Sequence, residues 1–190
     1  MRILLIGGGK SGKSTMAQRL AAALSGDAPR YYWATMTPHD DEDLARIRRH
    51  VADRAGMDFI TVERSFDLPA ALPALDRHGT VLFDSVTACL SEQMFPGPAP
   101  DAGAANRVLR RAGAGASLSL RELLDISRYP AHFIAVCDDI WHGGEDYRDW
   151  TEVYVRGLAD ICQGLAAEFD VVCEMTAGLP HLWKGELPRV

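Results

Sequence analysis

The chain of 190 residues has the length of one compact domain, and we predict a single domain over residues 1–190. Hydrophobic residues make up 47% and charged residues 24% of it, which excludes a disordered chain or a disulfide scaffold. The formal net charge of −6 argues against nucleic acid as the main ligand, because binding phosphate backbones requires a surplus of Lys and Arg. The apolar run at residues 3–6 is too short for a signal peptide or a membrane span, so we expect a cytoplasmic protein.

Strand and helix patterns alternate along the chain. The predicted strands are residues 2–6, 31–35, 59–62, 80–83, 132–137 and 170–176. The predicted helices are residues 13–24, 40–54, 86–94, 118–127 and 151–168. Short apolar strands separated by helices are typical of a mostly parallel sheet with helices on both faces, so the predicted fold class is α/β. Residues 96–115, rich in Pro, Gly and Ala, are predicted to be a surface loop without a domain boundary.

The cysteines have no spacing that indicates a metal or redox motif. Two lie in predicted helices and two in predicted strands, and we expect buried free thiols. They are Cys89, Cys137, Cys162 and Cys173.

A phosphate-binding motif follows the first strand. Residues 7–14 fit G-x-x-x-x-G-K-[ST], between a predicted strand and a predicted helix, which is the context that this motif requires. Glycines let backbone N–H groups surround phosphates, and the helix N-terminus adds partial positive charge. We expect Lys13 to reach the β- and γ-phosphates of ATP or GTP and Ser14 to bind Mg²⁺, whereas Lys10 could contact a phosphate or face solvent. The predicted nucleotide-binding residues here are Gly7, Gly8, Gly9, Lys10, Ser11, Gly12, Lys13, Ser14 and Thr15.

A second magnesium ligand is expected at the end of a buried strand. Asp84 follows the strand at 80–83 and is our candidate. The alternative is that Asp84 caps the next helix, a role that Ser85 could also fill.

The second helix carries a basic face. Arg46, His50 and Arg54 are spaced i, i+4 and i+8, beside an apolar stripe of Leu44, Ile47 and Val51. Arginines would bind anionic oxygens, and a neutral imidazole could attack phosphorus to form a covalent intermediate. On spacing alone, a solvated basic face is the simpler interpretation of the pattern.

Several further motifs stand in a distinctive order after the phosphate loop. They are Ala34-Thr35, Asp41-Glu42, Arg46-Ile47 with His50 and Arg54, Thr61 with Glu63, Asp84-Ser85-Val86-Thr87, Ala177-Gly178-Leu179-Pro180, and Lys184-Gly185. In that order the chain resembles the bifunctional adenosylcobinamide kinase and adenosylcobinamide-phosphate guanylyltransferase family of cobalamin biosynthesis.

The resemblance implies a RecA-like P-loop sheet and two reactions. A nucleoside triphosphate phosphorylates adenosylcobinamide, and GMP from GTP is then attached to that phosphate through a guanylylated histidine, at the position of His50. It also implies a corrinoid substrate and a closed homo-oligomer. The implied catalytic residues are His50, Lys13 and Asp84, with Arg46 and Arg54 on the nucleotide and Ser14 and Asp84 on the metal.

The chain departs from the family pattern after the strand at 132–137. The family usually has Asn-Glu where this chain has Asp138-Asp139, and Arg at the position of Lys10. The two aspartates could assist magnesium or orient a hydroxyl, or could be turn or capping residues. His142 with Trp141 could line a corrinoid site or lie in a solvent loop. Two other functions therefore stay open: a P-loop kinase of another metabolite, with His50 structural, and a nucleotide-binding sensor without catalysis.

Overall fold

The computed structural model describes residues 1–95, 119–141 and 150–190, and its centre is a seven-stranded sheet. Six strands are parallel, in the order β3-β2-β4-β5-β1-β6, and β7 is antiparallel to β6 at one edge. This confirms the predicted α/β class with a mostly parallel sheet. The strands are β1 (Arg2–Gly7), β2 (Arg30–Ala34), β3 (Phe59–Glu63), β4 (Thr80–Asp84), β5 (His132–Asp138), β6 (Val171–Thr176) and β7 (Leu179–Lys184).

Helices cover both faces of this sheet. They are α1 (Lys13–Ser25), α2 (Asp41–Asp53), α3 (Val86–Met94), α4 (residues 119–127) and α5 (Trp150–Glu168). On one face, α1 packs its Ala17 and Leu20 against strand residues such as Leu5. On the other, the described helices α3, α4 and α5 enclose a larger core around Phe83 and Phe133. Alternate residues of each central strand enter opposite cores, which explains why these strands are apolar throughout.

Two elements lie outside the predictions. A 3₁₀ helix, Leu68–Ala74, contains two prolines and too few residues for a helical period. Strand β7 is exposed along its whole length and contains Pro180, so it lacks the apolar alternation of a strand. It pairs with β6 through a tight turn at Ala177 and Gly178, whose φ angles are 51° and 82°. The predicted loop at 96–115 lies outside the described residues.

The apolar stripe of α2 does not enter either core. No residue of α2 is buried, and Leu44 and Val51 are 39% and 53% exposed. A period of 3.6 residues shows that one helix face is apolar but does not identify its neighbour.

All four cysteines are free and buried, as predicted. Burial raises the pKa of Cys89 to about 12, so this thiol stays protonated near neutral pH. The Sγ atoms of Cys137 and Cys162 lie 3.2 Å apart, and burial raises the pKa of Cys137 as well. In the described ranges, no helix is long and apolar enough to cross a membrane.

Lys184 ties β7 to the end of α5. Its Nζ donates hydrogen bonds to the carbonyl oxygens of Ala166 (3.0 Å) and Ala167 (2.9 Å), in the last turn of the helix. These carbonyls lack partners within a helix, and a cation there also complements the helix dipole. The Lys184 of the family-like motif therefore has a structural role.

We expect Lys184→Met to lower the free energy of unfolding by about 0.5–1 kcal/mol, because the substitution removes the charge and both hydrogen bonds while keeping most of the stem. Urea denaturation followed by circular dichroism measures the change. Arg19→Met, at an exposed position of α1, is the control and should change stability less. Equal losses for the two variants would contradict the capping role.

Candidate functional site

A cleft of about 1140 Å³ opens at the carboxyl edge of the parallel strands. In open α/β sheets this edge is the usual place for a ligand site. The cleft brings together the loop after β1, helix α2 and the ends of β2, β3, β4 and β5. Its lining includes the predicted site residues Gly9, Lys10, Lys13, Ser14, Arg46, His50, Arg54, Asp84 and Asp138.

The loop over residues 7–12 needs glycine where it approaches its neighbours. A Cβ on Gly7 would lie 2.4 Å from the carbonyl oxygen of Met175, at the end of β6. Gly12 has φ 95°, and a Cβ there would approach the Cα of Gly178 at 3.3 Å. The backbone N–H of Gly178 donates to the Ser11 carbonyl (3.0 Å), so the β6–β7 turn is hydrogen-bonded to the loop and stabilises it. This contact gives the Ala177-Gly178 motif a physical role.

Lys13 is the buried cation of the site, with only 5% exposure. Its Nζ donates to the Gly8 carbonyl at 2.7 Å and pairs with Asp138 Oδ1 at 3.0 Å. The backbone N–H of Asp138 in turn donates to Thr87 Oγ1 at 2.8 Å. Of the alternatives left open for Asp138, the structure supports neither a turn nor a cap, because its carboxylate is the counter-ion of the P-loop lysine.

Asp84 ends β4 and does not cap the following helix. Ser85 takes that role, since its Oγ accepts a hydrogen bond from the Ala88 N–H at 3.1 Å. The Asp84 carboxylate instead accepts from the Tyr32 hydroxyl, with 2.7 Å between Oδ2 and the phenolic oxygen. Burial raises the pKa of Asp84, and the Tyr32 hydrogen bond and the charges of His50 and Arg54 counteract part of that rise.

The donors in the cleft suit magnesium. Ser14 supplies a hydroxyl and Asp84 a carboxylate, and both line the same space as Lys13. Hard oxygen donors of this kind, few in number, fit Mg²⁺, which keeps several waters and binds phosphate oxygens directly. The described residues contain no cluster of three or more His, Cys, Asp or Glu side chains that would form an all-protein metal cage. A magnesium ion here would therefore be shared with a nucleotide.

The three basic residues of α2 and its C-cap differ in their surroundings. His50 is half-buried and lines the cleft. Arg54 is only 8% exposed, and its guanidinium carbon lies 3.5 Å above the centroid of the Tyr32 ring. Arg46 is exposed, with its Nη1 3.8 Å from Met36 Sδ and 3.9 Å from Asp43 Oδ1. The spacing predicts one helix face, and the three side chains line one cleft, but the spacing does not predict that Arg54 is held by an aromatic ring.

Two residues of the predicted nucleotide-binding run, Lys10 and Thr15, are exposed. Lys10 has φ 60° and lines the cleft. Thr15 is exposed and does not line it. Trp141 packs partly buried against the larger core, while His142 lies outside the described residues. Of these three residues, Lys10 alone lines the cleft.

Sequence reasoning missed two supporting residues, one on β2 and one directly after it. Tyr32 binds Asp84 as described, and Thr35 Oγ1 accepts from the Ser85 N–H and donates to the Ser85 carbonyl, both at 2.8 Å. Both contacts cross from β2 to the end of β4, where Ala34 lies opposite Asp84. The Ala34-Thr35 motif indicated that Thr35 is important. The role of Thr35 follows only from the pairing of β2 with β4.

The chain matches the model of a protein family. The family model described as cobinamide kinase / cobinamide phosphate guanyltransferase matches residues 3–182, nearly the whole chain. The chain belongs to this family. Family membership confirms the resemblance found in the sequence and supports a nucleotide-dependent enzyme. The comparison with curated proteins gives no match.

Two solved structures are similar to this family member. An ATPase from the type III secretion system of pathogenic bacteria is 16% identical, with a TM-score of 0.53 over 92% of this chain and 51% of that chain. The flagellar accessory protein FlaH from Methanocaldococcus jannaschii is 13% identical, with a TM-score of 0.49 over 97% of this chain and 78% of that chain. The chain thus spans about half the length of the secretion ATPase, and the likeness to it supports the P-loop sheet predicted here.

Asp138 forms an ion pair with the Lys13 ammonium group, which a nucleotide phosphate would also need as its partner. We therefore expect Asp138→Asn to raise the affinity for ATP or GTP without magnesium by roughly three- to tenfold, since a charge-assisted bond no longer competes. Isothermal titration calorimetry in EDTA measures the change.

Asp139→Asn makes the same change of charge one residue further on and serves as the control. It should alter the affinity less, because the described ion pair of Lys13 involves Asp138. Identical behaviour of the two variants would show that general electrostatics, not the ion pair, governs the affinity.

Proposed function

We propose that the chain phosphorylates adenosylcobinamide with ATP or GTP and then transfers GMP from GTP to the product, with His50 as the guanylylated residue. The observation that carries this proposal is the shared cleft, in which the P-loop and the α2 histidine face one space. His50 and Asp84 both line this cleft. Family membership supports both reactions.

In the kinase step, a substrate hydroxyl attacks the γ-phosphorus and the nucleoside diphosphate leaves. Lys13 would exchange Asp138 for phosphate oxygens and neutralise charge on the leaving group. Backbone N–H groups of residues 8–13 would surround the β-phosphate. Magnesium, when bound, would be held by Ser14 and Asp84 and would supply further neutralisation of the phosphate charge. Asp138, released from Lys13, lines the cleft and would orient the attacking hydroxyl and accept its proton.

In the guanylyl step, a neutral nitrogen of His50 attacks the α-phosphorus of GTP. The bond between that phosphorus and the bridging oxygen breaks, and pyrophosphate leaves. A phosphate oxygen of adenosylcobinamide phosphate then attacks the same phosphorus, forms a diphosphate and restores His50. Arg46, exposed at the cleft, would hold the pyrophosphate. Arg54 lines the same cleft, but its guanidinium is stacked on Tyr32, so it would position α2 rather than hold the leaving pyrophosphate.

The shape of the cleft fits a large and partly apolar substrate. Its volume of about 1140 Å³ exceeds the range of about 300–1000 Å³ that is common for small-molecule sites. Leu44, Ile47 and Val51 form an apolar wall beside the basic face. We propose that this wall contacts the corrinoid, which would explain why the stripe is not used in the core.

We expect His50→Ala to abolish the GMP adduct on the protein, because the variant lacks the nucleophile, while affinity for GTP changes less than about threefold. Intact-mass spectrometry after incubation with GTP and Mg²⁺ detects the adduct. His78→Ala is the control, since His78 is an exposed histidine outside the cleft and its replacement should leave the adduct intact. An adduct of normal yield on the His50 variant would reject the proposed nucleophile.

The kinase step has its own test. We expect Asp84→Asn to lower the rate of ADP formation with ATP, Mg²⁺ and adenosylcobinamide by about a hundredfold, because the carboxylate no longer holds the metal that stabilises the transferred charge. Asp53→Asn, at an exposed position of α2, should leave the rate unchanged.

The ADP assay, the adduct measurement and a GTP-binding measurement together separate the two alternatives to the proposed function. Phosphoryl transfer to another metabolite, with no GMP adduct, would indicate a P-loop kinase in which His50 is structural. Tight GTP binding without turnover on any corrinoid would indicate a nucleotide-binding sensor.

A further inference from the structure

Tyr32 lies between two halves of the cleft and contacts both. The magnesium half contains Asp84, and the histidine half contains His50 and Arg54. Its hydroxyl donates to Asp84 Oδ2 at 2.7 Å, and its ring face carries the Arg54 guanidinium at 3.5 Å. The side chain is 4% exposed, and Phe59 packs edge-on against the ring at 6.3 Å between centroids. A tyrosine held on three sides has one available orientation.

The register of the sheet directs this side chain toward Asp84. Ala34 on β2 lies opposite Asp84 on β4, and Tyr32 is two residues before Ala34. Because alternate residues share a face, Tyr32 and Asp84 emerge on the same side of the sheet, as diagonal neighbours. This is also the face that packs against α1, the helix that begins at Lys13.

The hydroxyl restricts the carboxylate. A hydrogen bond to one oxygen of Asp84 leaves the other oxygen to face the cleft and limits rotation of the group. Hydrogen bonds to charged groups are stronger than neutral ones, and a buried pair of this kind is well defined in direction. The carboxylate is therefore oriented before a metal or nucleotide binds.

The ring restricts the end of α2. No residue of α2 itself is buried, whereas Arg54, its C-cap, is buried on the Tyr32 ring. A guanidinium stacked on an aromatic face gains both electrostatic and contact energy. His50 precedes Arg54 by four residues and lies on the same helix face, so the stack sets the height of the imidazole above the sheet.

We propose that Tyr32 is a positioning residue that couples the magnesium half of the cleft to the histidine half. The hydroxyl orients Asp84 toward the metal, and the ring, through Arg54, places His50. This proposal rests on the proposed function for the role of His50, but its magnesium half does not.

The first experiment measures nucleotide affinity, using a GTP analogue with a methylene group between the α- and β-phosphorus, which does not transfer GMP. Isothermal titration calorimetry is run with Mg²⁺ and with EDTA. We expect Tyr32→Phe to lower the affinity in Mg²⁺ by about tenfold and to leave the affinity in EDTA unchanged, because one charge-assisted hydrogen bond is lost.

Tyr31→Phe is the matched control. Tyr31 is the preceding residue on β2, is equally buried, and its hydroxyl accepts one hydrogen bond, from the Asp76 N–H at 3.0 Å, on the opposite face of the sheet. Tyr31→Phe should change the affinity for the analogue neither in Mg²⁺ nor in EDTA. If Tyr32→Phe binds the magnesium complex as well as the parent, or loses affinity equally in EDTA, the orienting role of the hydroxyl is wrong.

The second experiment tests the ring with Arg54→Met, which leaves Tyr32 in place. We expect the rate of GMP-adduct formation at saturating GTP to fall about tenfold or more, while the magnesium dependence of analogue binding stays as in the parent. An unchanged rate would overturn the coupling to His50. If the parent forms no adduct, the proposed function fails, and the calorimetry on Tyr32→Phe still decides the magnesium half.

Discussion

The site depends on the compensation of one buried cation. An ammonium group with 5% exposure loses most of its hydration, and such a charge is stable only when it is paired and hydrogen-bonded. Lys13 obtains one partner from its own loop, the Gly8 carbonyl, and one from β5, the Asp138 carboxylate. The second partner is available because β5 is the parallel neighbour of β1, with Asp138 opposite Gly7. Sheet order therefore determines the charge balance of the phosphate loop.

The features predictable from sequence were those with their own local signal. The P-loop combines glycines, lysine and serine at fixed spacing, and β1 and α1 flank it as the motif requires. Central strands such as β4 are apolar throughout because helices cover both faces, so their positions were predicted within a residue or two. The capping choice at Ser85 was open in the sequence, since either neighbouring side chain had the chemistry, and only the Tyr32 contact explains why Asp84 does not cap.

The features that were not predictable depend on pairing between distant segments. The partner of Asp138 follows from the neighbouring position of β5 and β1, and the Tyr32–Asp84 contact follows from the register of β2 with β4. A single sequence contains no measure of strand order. Strand β7 illustrates the same limit, because an exposed edge strand has no buried face to leave a periodic pattern.

Helix α2 is clearly amphipathic although none of its residues is buried. Contacts at its two ends explain how it is held in place. Before the helix, the buried Glu92 of α3 accepts from the Thr37 N–H at 3.2 Å and contacts His39 Nε2 at 3.1 Å. After the helix, Arg54 stacks on Tyr32. Held at both ends, the helix lies along the cleft with no buried residue of its own, so its apolar and basic faces remain available to a ligand. In most surface helices the apolar stripe stabilises the fold; here polar contacts at the termini replace that stabilisation, and the stripe forms a wall of the site.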